Sequence, residues 1–159
     1  MPEYQAPLKD MNFVIKDLHG LESVCENLGN PDISVDVIDA VIGEAAKFAS
    51  NVFSPLNTAG DANGAKVTGK GVEETEGFAE AYQQFVESGW GAMPGATEYG
   101  GMGMPELVQG VTGEMWTSAN MALSLCPLLT VGAIRAIETH ASDELKQAYL
   151  PKMISGEWT

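Results

Sequence analysis

The chain has 159 residues, of which 45% are hydrophobic and 19% are charged, as expected for one globular domain and not for a disordered chain. Twenty-two acidic residues against eight basic ones give a formal charge of −14. No Lys or Arg lies between Lys70 and Arg135, so the composition disfavours binding to DNA, RNA or an anionic membrane surface.

Two further features concern the cellular compartment. Cys25 and Cys126 are too few and too far apart for a zinc ribbon or a CxxC redox motif, which favours a reducing compartment. A disulfide between them stays open as an alternative. Residues 1–4 lack the basic start and apolar stretch of a secretion signal, and no apolar run approaches the ~20 residues of a membrane-spanning helix. We therefore expect a soluble, cytoplasmic protein.

Apolar spacing in the first third of the chain predicts two helices. The first is short, ends before Gly20, and belongs to an N-terminal extension, residues 1–31. Its apolar residues are Leu8, Met11, Ile15 and Leu18. The second is capped by Asp32 or Ser34, and Pro55 lies just beyond its end. Its apolar stripe consists of Ile38, Val41, Ile42, Ala45, Phe48, Ala49 and Val52.

The middle of the chain is predicted to contain two loops and a helix between them. Residues 57–71 are poor in apolar side chains and form the first loop, after which Thr75 caps the third helix. The inner face of that helix consists of Phe78, Tyr82, Phe85 and Val86. Residues 89–103 contain six of the eighteen glycines and form a second loop, which we expect to be a packed scaffold.

Three more helices are predicted beyond that loop. Pro105 begins a long helix that continues to about Leu125, and Pro127 interrupts it before a helix from about residue 128 to 140. Ser142 or Asp143 opens the last helix. Its inward residues are Leu145, Tyr149 and Met153, with a bend at Pro151. The predicted fold class is all-α, with about six helices in a bundle-like or orthogonal array and no strand.

Two glycine-rich motifs resemble nucleotide-binding sites and fail in detail. In residues 64–71, Gly71 stands where a P-loop needs the Ser or Thr that binds Mg²⁺. Gly101-Met102-Gly103 precedes a helix, but Glu106 replaces the third glycine of a dinucleotide fingerprint. The two histidines lack further metal ligands nearby. We predict no metal site and no complete active site in this chain.

Several patches, in order, resemble the N-terminal domain of acyl-CoA dehydrogenases. The first is the loop that contains Gly89-Trp90, Pro94 and Tyr99-Gly100-Gly101. The others are residues 127–133 and 149–158. The opening residues 1–11 resemble a subgroup with an added N-terminal segment, that of methylthiopropanoyl-CoA dehydrogenase. The resemblance covers essentially the whole chain.

The resemblance implies that residues 32–159 are the helical N-terminal domain of an FAD-dependent enzyme. That enzyme would oxidise an acyl-CoA to its 2,3-enoyl-CoA and pass the electrons to an electron-transfer flavoprotein. We expect the chain to be cut before a β-rich middle domain and a C-terminal helical domain, which carry most FAD contacts and the catalytic glutamate. The isolated chain should then hold no catalytic or FAD-binding residue and be inactive, and the parent enzyme should be a homo-oligomer.

The resemblance also implies that the helix after the Tyr99-Gly100-Gly101 loop forms one wall of the acyl pocket. It assigns Val108, Gln109 and Thr112 to the pocket-facing side and Met102 to the pocket mouth. Gln109 and Thr112 are more polar than a long alkyl chain would prefer, which favours a short or heteroatom-bearing acyl group. The alternative is that this face packs against the absent domains.

The distribution of charge separates the two ends of an acyl-CoA. Residues 71–134 contain eight acidic residues and no Lys or Arg, so the CoA phosphates are expected to meet residues outside this chain. Two other functions stay open at this point. One is a free-standing helical interaction module, and the other is a carrier that holds acyl groups without chemistry.

Overall fold

The computed structural model describes residues 4–159, which form eight α-helices in chain order. They are α1 (Leu8–Asn12), α2 (Leu21–Leu28), α3 (Val35–Phe48), α4 (Ser54–Asn63), α5 (Phe78–Glu87), α6 (Glu106–Ala119), α7 (Met121–His140) and α8 (Asp143–Ile154). Two π-helical segments, Phe13–Leu18 and Ala49–Phe53, continue α1 and α3. The predicted all-α class is confirmed, although the helices number more than the expected six.

Among the described residues, the only sheet is a small antiparallel hairpin that the sequence analysis did not predict. Strand β1 (Lys66–Thr68) pairs with β2 (Gly71–Glu73), and both are largely exposed. The predicted loop at residues 57–71 is therefore wrong, because α4 and the hairpin occupy most of it. Leu56 of α4 packs over Gly77, and Phe78 packs over Gly60. These tertiary contacts override the weak helix propensity of the segment.

The N-terminal extension contains two helices instead of the predicted one. Gly20 adopts φ +62°, a conformation that favours glycine, and separates the π-helical segment from α2. Met11 and Ile15 are buried as predicted, whereas Leu18 is 64% exposed. The π-helical hydrogen bonding changes the angular spacing of side chains, so the α-helical stripe does not extend to Leu18.

The chain is helical without a break from residue 35 to residue 63. Ser34 caps α3, because its hydroxyl accepts a hydrogen bond from the Val37 amide at 3.3 Å. The prediction that Pro55 lies just beyond a helix end is wrong, because Pro55 lies in the first turn of α4. The π-helical segment just before it shifts the hydrogen-bond ladder, so a residue without an N–H is accommodated there.

Five aromatic rings form the centre of the main core. They are Phe48, Phe53, Phe85, Trp90 and Trp116, and the centroids of their contacting pairs lie 5.4 to 6.2 Å apart. Such pairs contribute about 0.5–1.5 kcal/mol each beyond their buried area. The predicted inner face of α5 is confirmed, because its residues all pack against this core. The predicted cap at Thr75 is two residues too early, since Gly77 precedes the helix.

The break between α6 and α7 occurs at Asn120, seven residues before the predicted break at Pro127. Asn120 is fully buried. Its Oδ1 accepts a hydrogen bond from the Leu123 amide at 3.1 Å, and its Nδ2 donates to the Phe53 carbonyl at 3.2 Å. Pro127 lies inside α7. The buried Asn120 side chain thus ends α6 by satisfying two backbone groups. Pro127 lacks only one backbone N–H, and α7 continues through it.

The last helix begins as predicted and buries a different face. The Ser142 hydroxyl caps α8 by accepting from the Leu145 amide at 3.4 Å. Leu150 and Ile154 are its buried residues and form a second, small core with Ile134 of α7. The predicted inward residues are wrong for two of three positions, because Leu145 and Tyr149 are 48% and 44% exposed and only Met153 is half-buried. Contacts with α7 and the Thr97–Tyr99 turn select this face.

The expectation that no apolar run approaches the length of a membrane span is wrong for α7. It has 20 residues, and an 18-residue window has a mean hydropathy of 1.5, which is enough to cross a membrane by length and composition. Helices in the cores of soluble proteins pass the same test, but only 17% of this window is buried. Its exposed apolar residues are Met121, Leu125, Leu128 and Leu129.

Cys25 and Cys126 are free thiols, which excludes the disulfide alternative.

The glycine-rich loop at residues 89–103 is held by its own backbone. The amides of Met102, Gly103 and Met104 donate to the carbonyls of Ala92, Gly95 and Met93 at 2.9, 2.9 and 3.0 Å. A Cβ at Gly101 would overlap the carbonyl oxygen of Gly95. Only glycine allows the two segments of this loop to approach so closely, which supports the expected scaffold role.

Replacing Asn120 by alanine tests the helix junction. Asn120→Ala removes the α7 cap and leaves the Phe53 carbonyl without its donor, so we expect the free energy of unfolding to fall by about 2–3 kcal/mol. Urea denaturation followed by circular dichroism measures this change. The matched control is Ser34→Ala, an exposed cap that should cost about 1 kcal/mol or less. Equal losses in the two variants would contradict the role of Asn120.

Replacing Gly101 by alanine tests the loop. The added methyl group must displace the Gly95 backbone, so Gly101→Ala should lower the free energy of unfolding by about 2–4 kcal/mol. Gly69→Ala, in the turn between β1 and β2, is the control, because a Cβ there meets no atom within 4 Å. Thermal unfolding of both variants decides the matter, and a Gly101→Ala variant as stable as the control would refute the close approach.

Candidate functional site

A cleft of about 560 Å³ lies between α6 and α7. This volume falls within the range of about 300–1,000 Å³ that is typical of small-molecule sites. The aromatic and apolar residues that line it are Phe85, Trp90, Met93, Pro94, Trp116, Pro127, Leu128 and Val131. Most of its surface is therefore suited to an apolar ligand.

The inner side of the cleft is part of the aromatic core. Trp90 and Trp116 line it with ring centroids 5.4 Å apart, and Phe85 packs against Trp116. The indole Nε1 of Trp90 is buried and has no hydrogen-bond partner among residues 4–159. Because the rings also stabilise the fold, this side of the cleft is rigid.

Glycines expose the helix backbone along both walls of the cleft. Gly110 and Gly113 of α6 and Gly132 of α7 border it, and a Cβ at any of them would meet no heavy atom within 4 Å. Glycine inside a helix costs about 0.5–1 kcal/mol relative to alanine. Nothing in the described part of the chain packs closely enough to require these glycines. They keep both backbones open to whatever occupies the cleft.

One end of the cleft is polar. The Arg135 guanidinium of α7 forms an ion pair with Glu106 and donates a hydrogen bond to the Gln109 side-chain oxygen, both on α6. Arg135 is the only Lys or Arg in residues 71–145. The side chains of Arg135 and Glu106 are 44% and 74% exposed, so their pair contributes about 0–1 kcal/mol to stability.

The structure brings two of the four predicted site residues to the cleft. Gln109 and Thr112 border it, and the fully buried Thr112 hydroxyl donates to the Gln109 carbonyl at 3.3 Å. Val108 is fully buried in the core and does not line the cleft, and its side chain is turned by about 100° from that of Gln109. Met102 also lies outside the cleft and is 42% exposed.

Contact with an acyl group thus stays a prediction for Gln109 and Thr112. The sequence analysis missed Gly113, Trp116 and Arg135, which the structure places at the same cleft. Two signals pointed to Gly113 and Arg135. Gly110 and Gly113 lie three residues apart inside an otherwise good helix, and Arg135 is the first cation after a long acidic stretch.

The ionisable groups around the cleft favour binding over acid–base chemistry. Glu106 and Glu114 are exposed, whereas a general base needs a dry, well-positioned carboxylate. Burial raises the pKa of the Tyr4 phenol, and the negative charge of Glu114 raises that pKa further, so Tyr4 is neutral at neutral pH. Among residues 4–159, no group of three His, Cys, Asp or Glu side chains is close enough to hold a metal ion.

Comparison with known proteins supports an assignment to a family. The model of the acyl-CoA dehydrogenase N-terminal domain matches residues 39–157. The chain is 39% identical over 156 residues to 3-methylmercaptopropionyl-CoA dehydrogenase of Ruegeria pomeroyi. It is 31% and 30% identical, over 160 and 159 residues, to two butyryl-CoA dehydrogenases of Syntrophomonas wolfei.

Each of these alignments covers 98% of this chain and 26% of the relative, so the chain spans about a quarter of the length of the curated relatives it matches. The resemblance seen in the loop, in the segment around Pro127 and in the final helix is thereby confirmed. Since the family model matches most of the chain, the chain belongs to the acyl-CoA dehydrogenase family, in which it corresponds to the N-terminal domain.

Proposed function

We propose that this chain is the part of an acyl-CoA dehydrogenase that receives the distal end of the acyl group. The observation that carries the proposal is the apolar cleft with bare backbone at Gly110, Gly113 and Gly132. Each glycine weakens its helix without a packing gain inside the chain. An acyl tail that packs against the helix backbones would supply the packing contacts that these glycines lack within the chain.

The cleft binds such a tail by excluding water from it. Each methylene group that leaves water for an apolar surface contributes about 0.8 kcal/mol. Trp90 and Trp116 offer flat, rigid surfaces, and Leu128 and Val131 of α7 face the same space. Because these side chains are already ordered by the core or by their helix, little conformational entropy is lost on binding.

The polar lining supports a short or heteroatom-bearing acyl group. Gln109 and Thr112 reduce the length of purely apolar wall along α6. Butyryl and 3-methylmercaptopropionyl, the acyl groups in the names of the relatives, are both short, and the second contains sulfur. The proposed substrates are therefore CoA thioesters of short acyl groups.

Neither the glycine-rich loop nor the polar end of the cleft offers free donors to the pyrophosphate of FAD, the cofactor that the family implies. The amides of Met102, Gly103 and Met104 already donate to carbonyls within the loop. The one cation at the cleft, Arg135, is engaged by Glu106. FAD, the CoA phosphates and the catalytic base are therefore proposed to meet residues outside this chain. No step of the flavin chemistry is assigned to the residues described here.

Exposed apolar surfaces support a place within a larger enzyme. Met121, Leu125 and Leu129 of α7 and Leu145 and Tyr149 of α8 are all more than 40% exposed. Large apolar patches of this kind mark surfaces that other protein segments cover. We propose that the rest of a longer polypeptide covers them. Homo-oligomeric assembly, transfer of electrons to an electron-transfer flavoprotein and a cytoplasmic location stay predictions.

A flavin titration separates this proposal from its alternatives. The visible spectrum should show tight FAD binding by the longer polypeptide that contains this chain, and weak or no binding by residues 1–159 alone. A longer polypeptide without flavin and without acyl-CoA oxidation would contradict the proposal. In that case a bound acyl ligand that survives purification would indicate a carrier, and a clean monomer would indicate an interaction module.

Filling the cleft with one methyl group tests the role of the glycines. Gly113→Ala should raise the free energy of unfolding by up to about 1 kcal/mol, because alanine is the better helix former. It should also lower kcat/KM for butyryl-CoA about tenfold or more in the longer polypeptide, since the methyl group occupies the space of the tail.

The matched control is Gly43→Ala in α3. Gly43 also lies inside a helix and a Cβ there meets no atom within 4 Å, but it does not border the cleft. We expect a similar gain in stability and an unchanged kcat/KM. If Gly113→Ala and Gly43→Ala oxidise butyryl-CoA equally well, the cleft does not hold the acyl group.

A further inference from the structure

The side chains of Glu106, Gln109 and Arg135 form a bridge from α6 to α7 at the polar end of the cleft. We propose that this bridge ends the acyl-binding cleft and limits the length of the tail, which makes Arg135 a specificity-determining residue. The inference rests on the proposed function, because it needs an acyl group in the cleft. It goes further by assigning a length limit to named residues.

The positions along the two helices show that the bridge lies at one end. The cleft residues of α6 run from Ser118 back to Glu106, and those of α7 run forward from Ser124 to Arg135. Since Arg135 contacts Glu106, the two helices run in opposite directions along the cleft. At a rise of about 1.5 Å per residue, each wall is roughly 16–18 Å long.

The chemistry of the lining changes along this length. Near the middle of the cleft, Gly113, Leu128 and Val131 offer only backbone or apolar surface, and the polar residues at this level are Thr112 and the exposed Glu114. At the bridge, by contrast, a saturated tail would have to displace water from a guanidinium and a carboxylate without replacing their hydrogen bonds. Desolvation of that kind is unfavourable, so long tails are rejected while short tails stop before the bridge.

Stability alone gives little reason for this bridge. Both charged side chains are substantially exposed, and exposed ion pairs contribute little to folding. Glu106 lies in the first turn of α6, where the helix dipole already favours a carboxylate without Arg135. Removing Arg135 should therefore open the end of the cleft while leaving the helices in place.

The test compares acyl-CoA chain lengths in the longer polypeptide that contains this chain. We expect the wild type to show a falling kcat/KM as straight-chain acyl-CoAs lengthen from 4 to 12 carbons. Arg135→Ala should raise the ratio of kcat/KM for long over short substrates by about tenfold or more, consistent with the discrimination that one or two methylene groups carry. Arg135→Lys, which keeps the charge, should stay closer to the wild-type profile.

Two further variants keep the test decisive. Glu106→Gln breaks the ion pair without removing a side chain, and it should move the ratio in the same direction by a smaller amount. Lys47→Ala removes a comparable exposed ion pair, with Glu44 at 2.6 Å on α3, and should leave the profile unchanged. Thermal unfolding of each variant shows whether the fold is intact.

The outcomes separate this inference from the function on which it rests. If the wild type oxidises acyl-CoAs and the chain-length profiles of Arg135→Ala and Glu106→Gln coincide with it, the bridge does not limit tail length and only this inference fails. If the wild type oxidises no acyl-CoA of any length, the proposed function fails as well. A shift toward long tails in Arg135→Ala and not in Lys47→Ala supports the bridge as the end of the cleft.

Discussion

The buried side chain of Asn120 is the constraint on which the cleft depends. By capping α7 and bonding to the Phe53 carbonyl, it ends α6 and directs α7 back along it. Without this turn α6 would continue beyond residue 120, as the sequence analysis predicted. The same contact ties the junction to the π-helical segment that carries Phe53, so the position of the cleft is set by the aromatic core.

The cleft combines a rigid inner side with weakened walls. Trp90 and Trp116 are held by ring contacts on several sides, whereas Gly110, Gly113 and Gly132 lower the helix propensity of the walls. The glycines thus lower stability in the walls, where the ligand would lie, and the aromatic core behind the cleft remains stable. Alanine would be the more stable residue at these helix positions, and proteins commonly accept such a cost at functional positions.

In the proposed function, the charge of the chain determines which part of an acyl-CoA it binds. The chain is strongly acidic, and its one cation in residues 71–145 is engaged at the far end of the cleft. In the proposed function, polyanionic groups such as the CoA phosphates meet residues outside this chain, while the cleft accepts the uncharged acyl tail. In the proposed length limit, Arg135 is the residue at which an apolar ligand stops.

The amino-acid sequence determined the fold class, the packed glycine loop and a pair of candidate caps for each of α3 and α8, because these depend on local periodicity and on residue type. It also carried the family through patches of matching residues. The tertiary structure decided the rest. Asn120 ended a helix only because it is buried against Phe53, and Val108 faced the core because packing set the rotation of α6. Such choices depend on contacts between segments far apart in the chain, which no local pattern contains.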